Sequence, residues 1–301
     1  MKLLIFGKNG QVGWELQRSL APLGEVIALG QNEANLCGDL SNLEGLRATL
    51  QRVAPDVIVN AAAHTAVDRA ESEPDLAYRI NAEAPSVMAE EAQRLGALLV
   101  HYSTDYVYEG SGERFWQESD APAPLNLYGK SKLAGDQAIM ASGCRHLIFR
   151  TSWVYAARGN NFAKTMLGLA RTRNALSVVS DQVGAPTGAE LIADVTAQAI
   201  YQALLDPQKQ GLYHLVASGS TSWFDYAREV FSVARELGET LQLSDDAVTP
   251  IASSEYPKPA QRPLNSRLCT QKLTNTFQLT LPDWKVGVAR MLRETLEPLS
   301  Q

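Results

Sequence analysis

Three glycines constrain this chain more than any other feature. Gly7, Gly10 and Gly13 stand in "LLIFGKNGQVGWEL", directly after an apolar run and directly before a stretch of helical period. Residues 2–7 read as a buried strand, and residues 10–24 as a helix closed by glycine. Only glycine lets a backbone turn sharply between strand and helix and approach an anion closely. The first turn of the helix then offers N–H groups that have no partner within it. In that context G-x-x-G-x-x-G points to a pyrophosphate, and so to a dinucleotide. Gly7, Gly10, Gln11, Val12 and Gly13 are the first expected cofactor-binding residues.

The first half of the chain repeats this alternation. Residues 25–30, 56–62, 97–104 and 146–155 read as strands, and 42–53 and 74–95 as helices. Strands of near-continuous apolar character separated by helices build parallel sheets covered on both faces. The expectation is an α/β protein with a Rossmann-like, doubly wound parallel sheet. The second half is less regular. Expected strands at 176–181 and 212–216 are both candidates to rejoin the main sheet, with a helix at 189–205 between them. A helix at 223–237 precedes the irregular Pro-rich segment 256–263, and a last helix starts at Pro282 or Asp283. Residues 1–152, completed by parts of 170–217, are the expected dinucleotide-binding domain. Residues 153–169 and 218–301 mainly form a smaller α/β substrate-binding lobe.

The end of the second strand, "ALGQNEA", bears on cofactor choice. A site committed to NAD ordinarily has an acid there, accepting from the ribose 2′-OH. Here Gln31 and Asn32 occupy the place, Glu33 falls slightly late, and no arginine stands ready for a 2′-phosphate. The pocket reads as permissive. Gly30, Asp39 and Leu40 are assigned to its adenosine end; the Asp39 carboxylate suits the adenine edge or, equally, a place beside a helix cap. The formal net charge of -6 gives no support to nucleic-acid or anionic-membrane binding. No apolar run approaches the roughly 20 residues of a bilayer span. The N-terminus reaches its glycines too early for a signal peptide, which makes the cytoplasm the expected setting. Cys37, Cys144 and Cys269 lack metal-ligand spacing.

"YGKSK" places Tyr128 and Lys132 four residues apart. On a helix they share a face, with Cβ atoms roughly 5–6 Å apart. Reduction of a ketone needs a hydride at carbon and a proton at oxygen. A free tyrosine, with a pKa of about 10, yields its proton reluctantly at neutral pH. Lowering that value by about three units takes roughly 4 kcal/mol, which one ammonium at about 4 Å can supply at an effective dielectric near 20. Lys132 is thus expected to acidify Tyr128. Thr104 ends the strand "ALLVHYST", at the carboxyl edge of the sheet where such folds bind ligands.

With the glycine loop upstream, the Y-x-x-x-K pair and "STDYVY" (103–108) resemble the extended branch of the short-chain dehydrogenase/reductase superfamily. "NAAAHTAVDRAE" (60–71), "YRINAEAP" (78–85), "RTSWVY" (150–155), "DQVGAPT" (181–187) and "RPLNS" (262–266) are similar to its reductases of dTDP-linked 4-keto-6-deoxy sugars. The resemblance runs almost end to end. It implies Tyr128 as the general acid, Lys132 as its assistant and holder of the nicotinamide ribose, and Thr104 as the residue that orients the carbonyl. It places Ala62, Ala63 and Thr65 along the cofactor, NADPH or NADH. It also places Asp105, Trp153, Asn161, Lys164 and Arg262 with Thr104 and Tyr128 around the sugar nucleotide. Trp153 would be an aromatic wall, and Asn161 and Lys164 would meet the diphosphate. Asn81 takes a supporting role, and His64 reads as a local hydrogen-bonding residue. A homodimer and magnesium are implied as well, the latter without identified ligands. The implied reaction completes a deoxysugar nucleotide for cell-surface polysaccharide.

Two other readings compete. A sugar-nucleotide dehydratase of the superfamily typically carries an Asp-Glu pair after the threonine; here Asp105 is followed by Tyr106. Epimerases and dehydratases also recycle a tightly held NAD, which suits an acidic ribose clamp better than "GQNEA". A non-catalytic NADP-binding regulatory subunit is opposed by the intact Thr104, Tyr128 and Lys132.

Overall fold

The structure, a computed structural model, describes residues 1–296. Six parallel strands form its main sheet: β1 (Lys2–Phe6), β2 (Glu25–Leu29), β3 (Val57–Asn60), β4 (Leu98–Thr104), β5 (Arg145–Thr151) and β6 (Gly211–His214). Around and beyond it run α1 (Gln11–Leu20), α2 (Leu43–Val53), α3 (Ala84–Leu95), α4 (Leu127–Ala141), α5 (Phe162–Ala170), α6 (Ala189–Leu205), α7 (Trp223–Glu236) and α8 (Trp284–Leu296). The strand order is β6–β5–β4–β3–β1–β2. β2 lies on one side of β1 and every later strand on the other, so the chain changes direction at β1 and β3. Ligands of open α/β sheets bind at that switch point, outside the carboxyl ends of the strands. Phe6 is in register with both Leu29 and Asn60, so Gly7 and Ala61 leave the sheet side by side.

Side-chain alternation along the strands explains the two covered faces. Leu3, Ile5, Val57, Val59, Leu98 and Val100 pack with Leu16 and Leu20 of α1 and Ile192 and Ile200 of α6. Leu4, Phe6, Ile58, Leu99 and Ile148 pack with Leu46 and Leu50 of α2, Met88 of α3 and Ile139 of α4. Each fully buried side chain of this kind contributes roughly 1.5–3 kcal/mol. A third core joins α5, α7 and α8 through Leu167, Tyr226, Phe231, Val288 and Met291.

Three elements differ from the sequence expectations. The stretch 146–155 is not one strand: β5 ends at Thr151, and Val154–Tyr155 pairs separately with Thr187–Gly188. The break falls at Trp153, whose φ is +48°. Leu176–Val179 does not rejoin the main sheet, as β6 does; it pairs with Val248–Ile251 because Leu176 and Val178 belong to the third core. The helical region 74–95 is interrupted by a π-helical turn at Arg79–Glu83. Pro85 has no N–H to give the Asn81 carbonyl, so the α-helical ladder cannot continue unbroken there. That carbonyl points at α4, where a Cβ on Gly135 would lie 2.1 Å from it.

Candidate active site

The switch-point crevice is built by close backbone approach. Gly7 has φ +93°, and a Cβ there would lie 2.8 Å from the Ala61 carbonyl. A Cβ on Gly13 would lie 2.0 Å from the carbonyl oxygen of Gly7. Gly10 caps α1 without a side-chain hydrogen bond, leaving the first N–H groups of the helix open to an anion. The crevice has a volume of about 520 Å³.

 Its walls include Gly7, Gly10, Gln11, Val12, Ala62, Ala63 and Thr65, and it ends at Tyr128 and Lys132. A cleft with open N–H groups at one end and a buried cation at the other fits a dinucleotide. Three expected adenosine-end residues stand apart from these walls. The Asp39 carboxylate accepts from the Ser41 N–H (2.9 Å) and hydroxyl (2.8 Å), Leu40 is buried in the core, and the Gly30 N–H donates to Glu33 at 2.9 Å.

Tyr128 lies in the first turn of α4. Asn126 caps that helix by accepting from the Gly129 N–H at 2.8 Å, and its amide donates to the Gln261 carbonyl at 2.7 Å. A Cβ on Gly129 would lie 2.2 Å from the Tyr106 carbonyl oxygen, which is why a glycine follows the tyrosine. The helix can then press against the turn Asp105–Val107, just past Thr104 at the end of β4. Ser131 accepts from the Asn81 amide at 3.0 Å, and Asn81 also brackets the backbone of His64. His64 itself meets Glu73 at 3.2 Å.

The expectation that Lys132 acidifies Tyr128 is not met. Burial pushes the Tyr128 phenol up to about 12, the Thr104 hydroxyl opposing and the Asp105 and Asp136 charges reinforcing the rise. The Lys132 ammonium is turned elsewhere: it donates to the Tyr102 carbonyl at 2.6 Å and meets His101 Nε2 at 3.0 Å. Burial lowers its pKa to about 8, with Asp136 pulling it upward.

Sequence reasoning missed the buried charges behind this pair. Asp136 accepts from the Ser103 hydroxyl at 2.8 Å and from Arg150 Nε at 3.1 Å. Arg150 in turn donates to the Tyr108 hydroxyl at 2.8 Å, which meets His214 Nε2 at 2.7 Å. Burial and a neighbouring cation lower the pKa of both His101 and His214, keeping the imidazoles neutral. The signal for Asp136 was present: it lies one helical turn beyond Lys132, on the same face.

The second cavity, about 680 Å³, lies between α5, α7 and the Pro-rich segment, with Phe162, Trp223, Tyr256 and Arg262 among its walls. Tyr106 lines it and packs edge-on against Tyr128, ring centroids 5.5 Å apart, so the two cavities meet at these tyrosines. Trp153 stacks on Trp223 at 3.6 Å. Its left-handed backbone, strained for a bulky residue, marks the junction of sheet and lobe. Asp105 is buried, its pKa raised to about 6 by burial, with one carboxylate oxygen unpartnered. Arg262 pairs with Asp68 at 3.0 Å. Asn161 and Lys164 have their polar atoms engaged in the chain itself. Asn161 caps α5 and donates to the Ala156 carbonyl at 2.7 Å, while Lys164 Nζ donates to the carbonyls of Ala157 (2.7 Å) and Gly159 (2.8 Å). Among the described residues no group of three His, Cys, Asp or Glu side chains is placed to hold a metal ion.

Sheet order, glycine loop and the Thr-Tyr-Lys group together define an extended short-chain dehydrogenase/reductase. The RmlD substrate binding domain family matches residues 1–297. The dTDP-4-dehydrorhamnose reductase of Salmonella typhimurium is 58% identical over 294 residues, covering 98% of each chain. That of Burkholderia thailandensis is 45% identical, covering 98% of this chain and 99% of its own. The crystal structure of dTDP-4-dehydrorhamnose reductase from Bacillus anthracis in complex with NADP superposes with a TM-score of 0.86 at 36% identity, over 98% of this chain and 99% of that one. The chain belongs to the dTDP-4-dehydrorhamnose reductase family.

Proposed function

We propose that the protein reduces dTDP-4-dehydrorhamnose to dTDP-rhamnose with NADPH or NADH. One observation carries the assignment of the site: the two cavities meet where Tyr106 packs against Tyr128, with Thr104 at the end of the neighbouring strand and Lys132 one turn along the helix. The bound reduced nicotinamide supplies a hydride to the C4 carbonyl carbon. Tyr128 donates its proton to the carbonyl oxygen, and Thr104 orients that oxygen. A phenol held near 12 stays protonated at neutral pH and still donates downhill to an alkoxide, whose conjugate acid is about as weak as water, at roughly 15.7. Such a tyrosine serves reduction well and is a poor base for oxidation. Tyr106, where a dehydratase has its second carboxyl group, is a half-buried phenol whose pKa is also raised by desolvation.

Lys132 holds the nicotinamide ribose in this reading, Asp105 accepts from a sugar hydroxyl with its free oxygen, and Trp153 and Arg262 border the sugar nucleotide. The lobe around α5, α7 and α8 is the substrate-binding part. A homodimer in the cytoplasm completes the proposal, supported by family membership; no helix among the described residues is long and apolar enough to cross a membrane.

The test is consumption of reduced cofactor with the 4-keto sugar nucleotide. One equivalent per product supports the reading, and cofactor binding without turnover returns the regulatory subunit. A second expectation follows from Lys132: kcat/KM, which reports the free enzyme, should fall as pH rises through about 8 and the ammonium loses its proton. A profile flat to pH 10 would remove the Lys132 charge from the mechanism.

A further inference from the structure

Lys8 and Glu33 have no place in the site described so far. Lys8 follows Gly7 in the phosphate loop, and its Nζ meets Glu33 Oε1 at 2.5 Å, with 32% and 24% of the two side chains exposed. The same carboxylate oxygen accepts from the Gly30 N–H at 2.9 Å, directly beyond β2. Lys8 is tied to that strand end too, its backbone N–H donating to the Leu29 carbonyl at 3.0 Å. A Cβ on Gly30 would lie 2.9 Å from Asn9 Nδ2, 3.2 Å from Glu33 Oε1 and 3.5 Å from Lys8 Cε. The three side chains therefore converge over a position that carries none. In this fold the end of β2 is where the protein meets the adenosine ribose.

We propose that Lys8 and Glu33 form an exchangeable ion pair that reads the 2′ position of the cofactor ribose and admits both NADH and NADPH. The proposal rests on the dinucleotide reading of the crevice. Towards a ribose diol, Glu33 accepts hydrogen bonds while staying paired with Lys8. Towards a 2′-phosphate, Glu33 repels and Lys8 turns to the phosphate. An exposed ion pair contributes little to stability, so Lys8 leaves it at small cost. A point charge on a flexible four-carbon stem suits that movement better than a rigid guanidinium fork. The sequence offered no arginine at β2, but the cation comes from the loop before α1.

Dissociation constants for NADH and NADPH, measured by fluorescence titration of the wild type, Lys8→Met and Glu33→Gln, test this. The wild type should bind both within about tenfold. Lys8→Met should weaken NADPH by about 10- to 100-fold, the range of a charge-assisted hydrogen bond, and NADH by less than about threefold. Glu33→Gln should shift preference the other way, towards NADPH. Equal effects on both cofactors, or none, overturn the proposal. Retained NADH binding shows that Lys8→Met is folded; if it does not fold, an unchanged preference in Glu33→Gln is sufficient to overturn it. A wild type that binds neither cofactor refutes the dinucleotide reading instead.

Discussion

Replacing Tyr128 with phenylalanine will lower kcat by roughly 100- to 10,000-fold, the usual loss when a general acid is removed. The ring will keep its place, because its edge-on contact with Tyr106 and its position in the capped first turn of α4 do not involve the hydroxyl. Cofactor affinity will hardly change. Thr104 remains to orient the carbonyl, but its hydroxyl already donates to Asp105 at 3.1 Å and accepts from the Tyr106 N–H. It is therefore poorly placed to supply a proton. Steady-state rates alongside cofactor titration check both parts, and near-normal turnover would remove Tyr128 from the mechanism.

Replacing Asp136 with alanine will destabilise the protein by about 3–5 kcal/mol, the cost of leaving buried charges without their partner. Arg150 is 1% exposed and Lys132 2%, so neither can recover its loss by reaching water. The effect extends to chemistry. Asp136 raises the pKa of Lys132, so without it the alkaline fall of kcat/KM will move below pH 8. Denaturant unfolding measures the first effect and a pH–rate profile the second. A loss under about 1 kcal/mol would place the pair with exposed ones.

The glycine loop was legible because its constraint is local. A strand, a tight turn and a helix follow one another within 20 residues, and Gly13 approaches the Gly7 backbone inside that unit; the contact of Gly7 with Ala61, beyond β3, was not legible in this way. Tyr128 and Lys132 were legible for the same reason, as neighbours on one helix. The setting of that pair was not legible. His101 and Tyr102 reach Lys132 from β4, about thirty residues earlier, and only the parallel pairing brings them there. Burial, which decides the acidity of Tyr128, is a property of the assembled layers. The Lys8–Glu33 pair was hidden likewise, since Glu33 read as late along the chain yet curls back to the Gly30 N–H. Leu176–Val179 has the composition of a sheet strand, and its partner is decided by which core buries Val178.

In the proposed reaction the site delivers a hydride to C4 of a 4-keto sugar nucleotide and a proton to its oxygen. Cofactor deuterated at the transferable position, followed into product by NMR, tests it most directly. Deuterium is expected at C4 of dTDP-rhamnose, with one equivalent of cofactor oxidised per product and no conversion of dTDP-glucose. Formation of a 4-keto product from dTDP-glucose, with no net cofactor consumed, would contradict it.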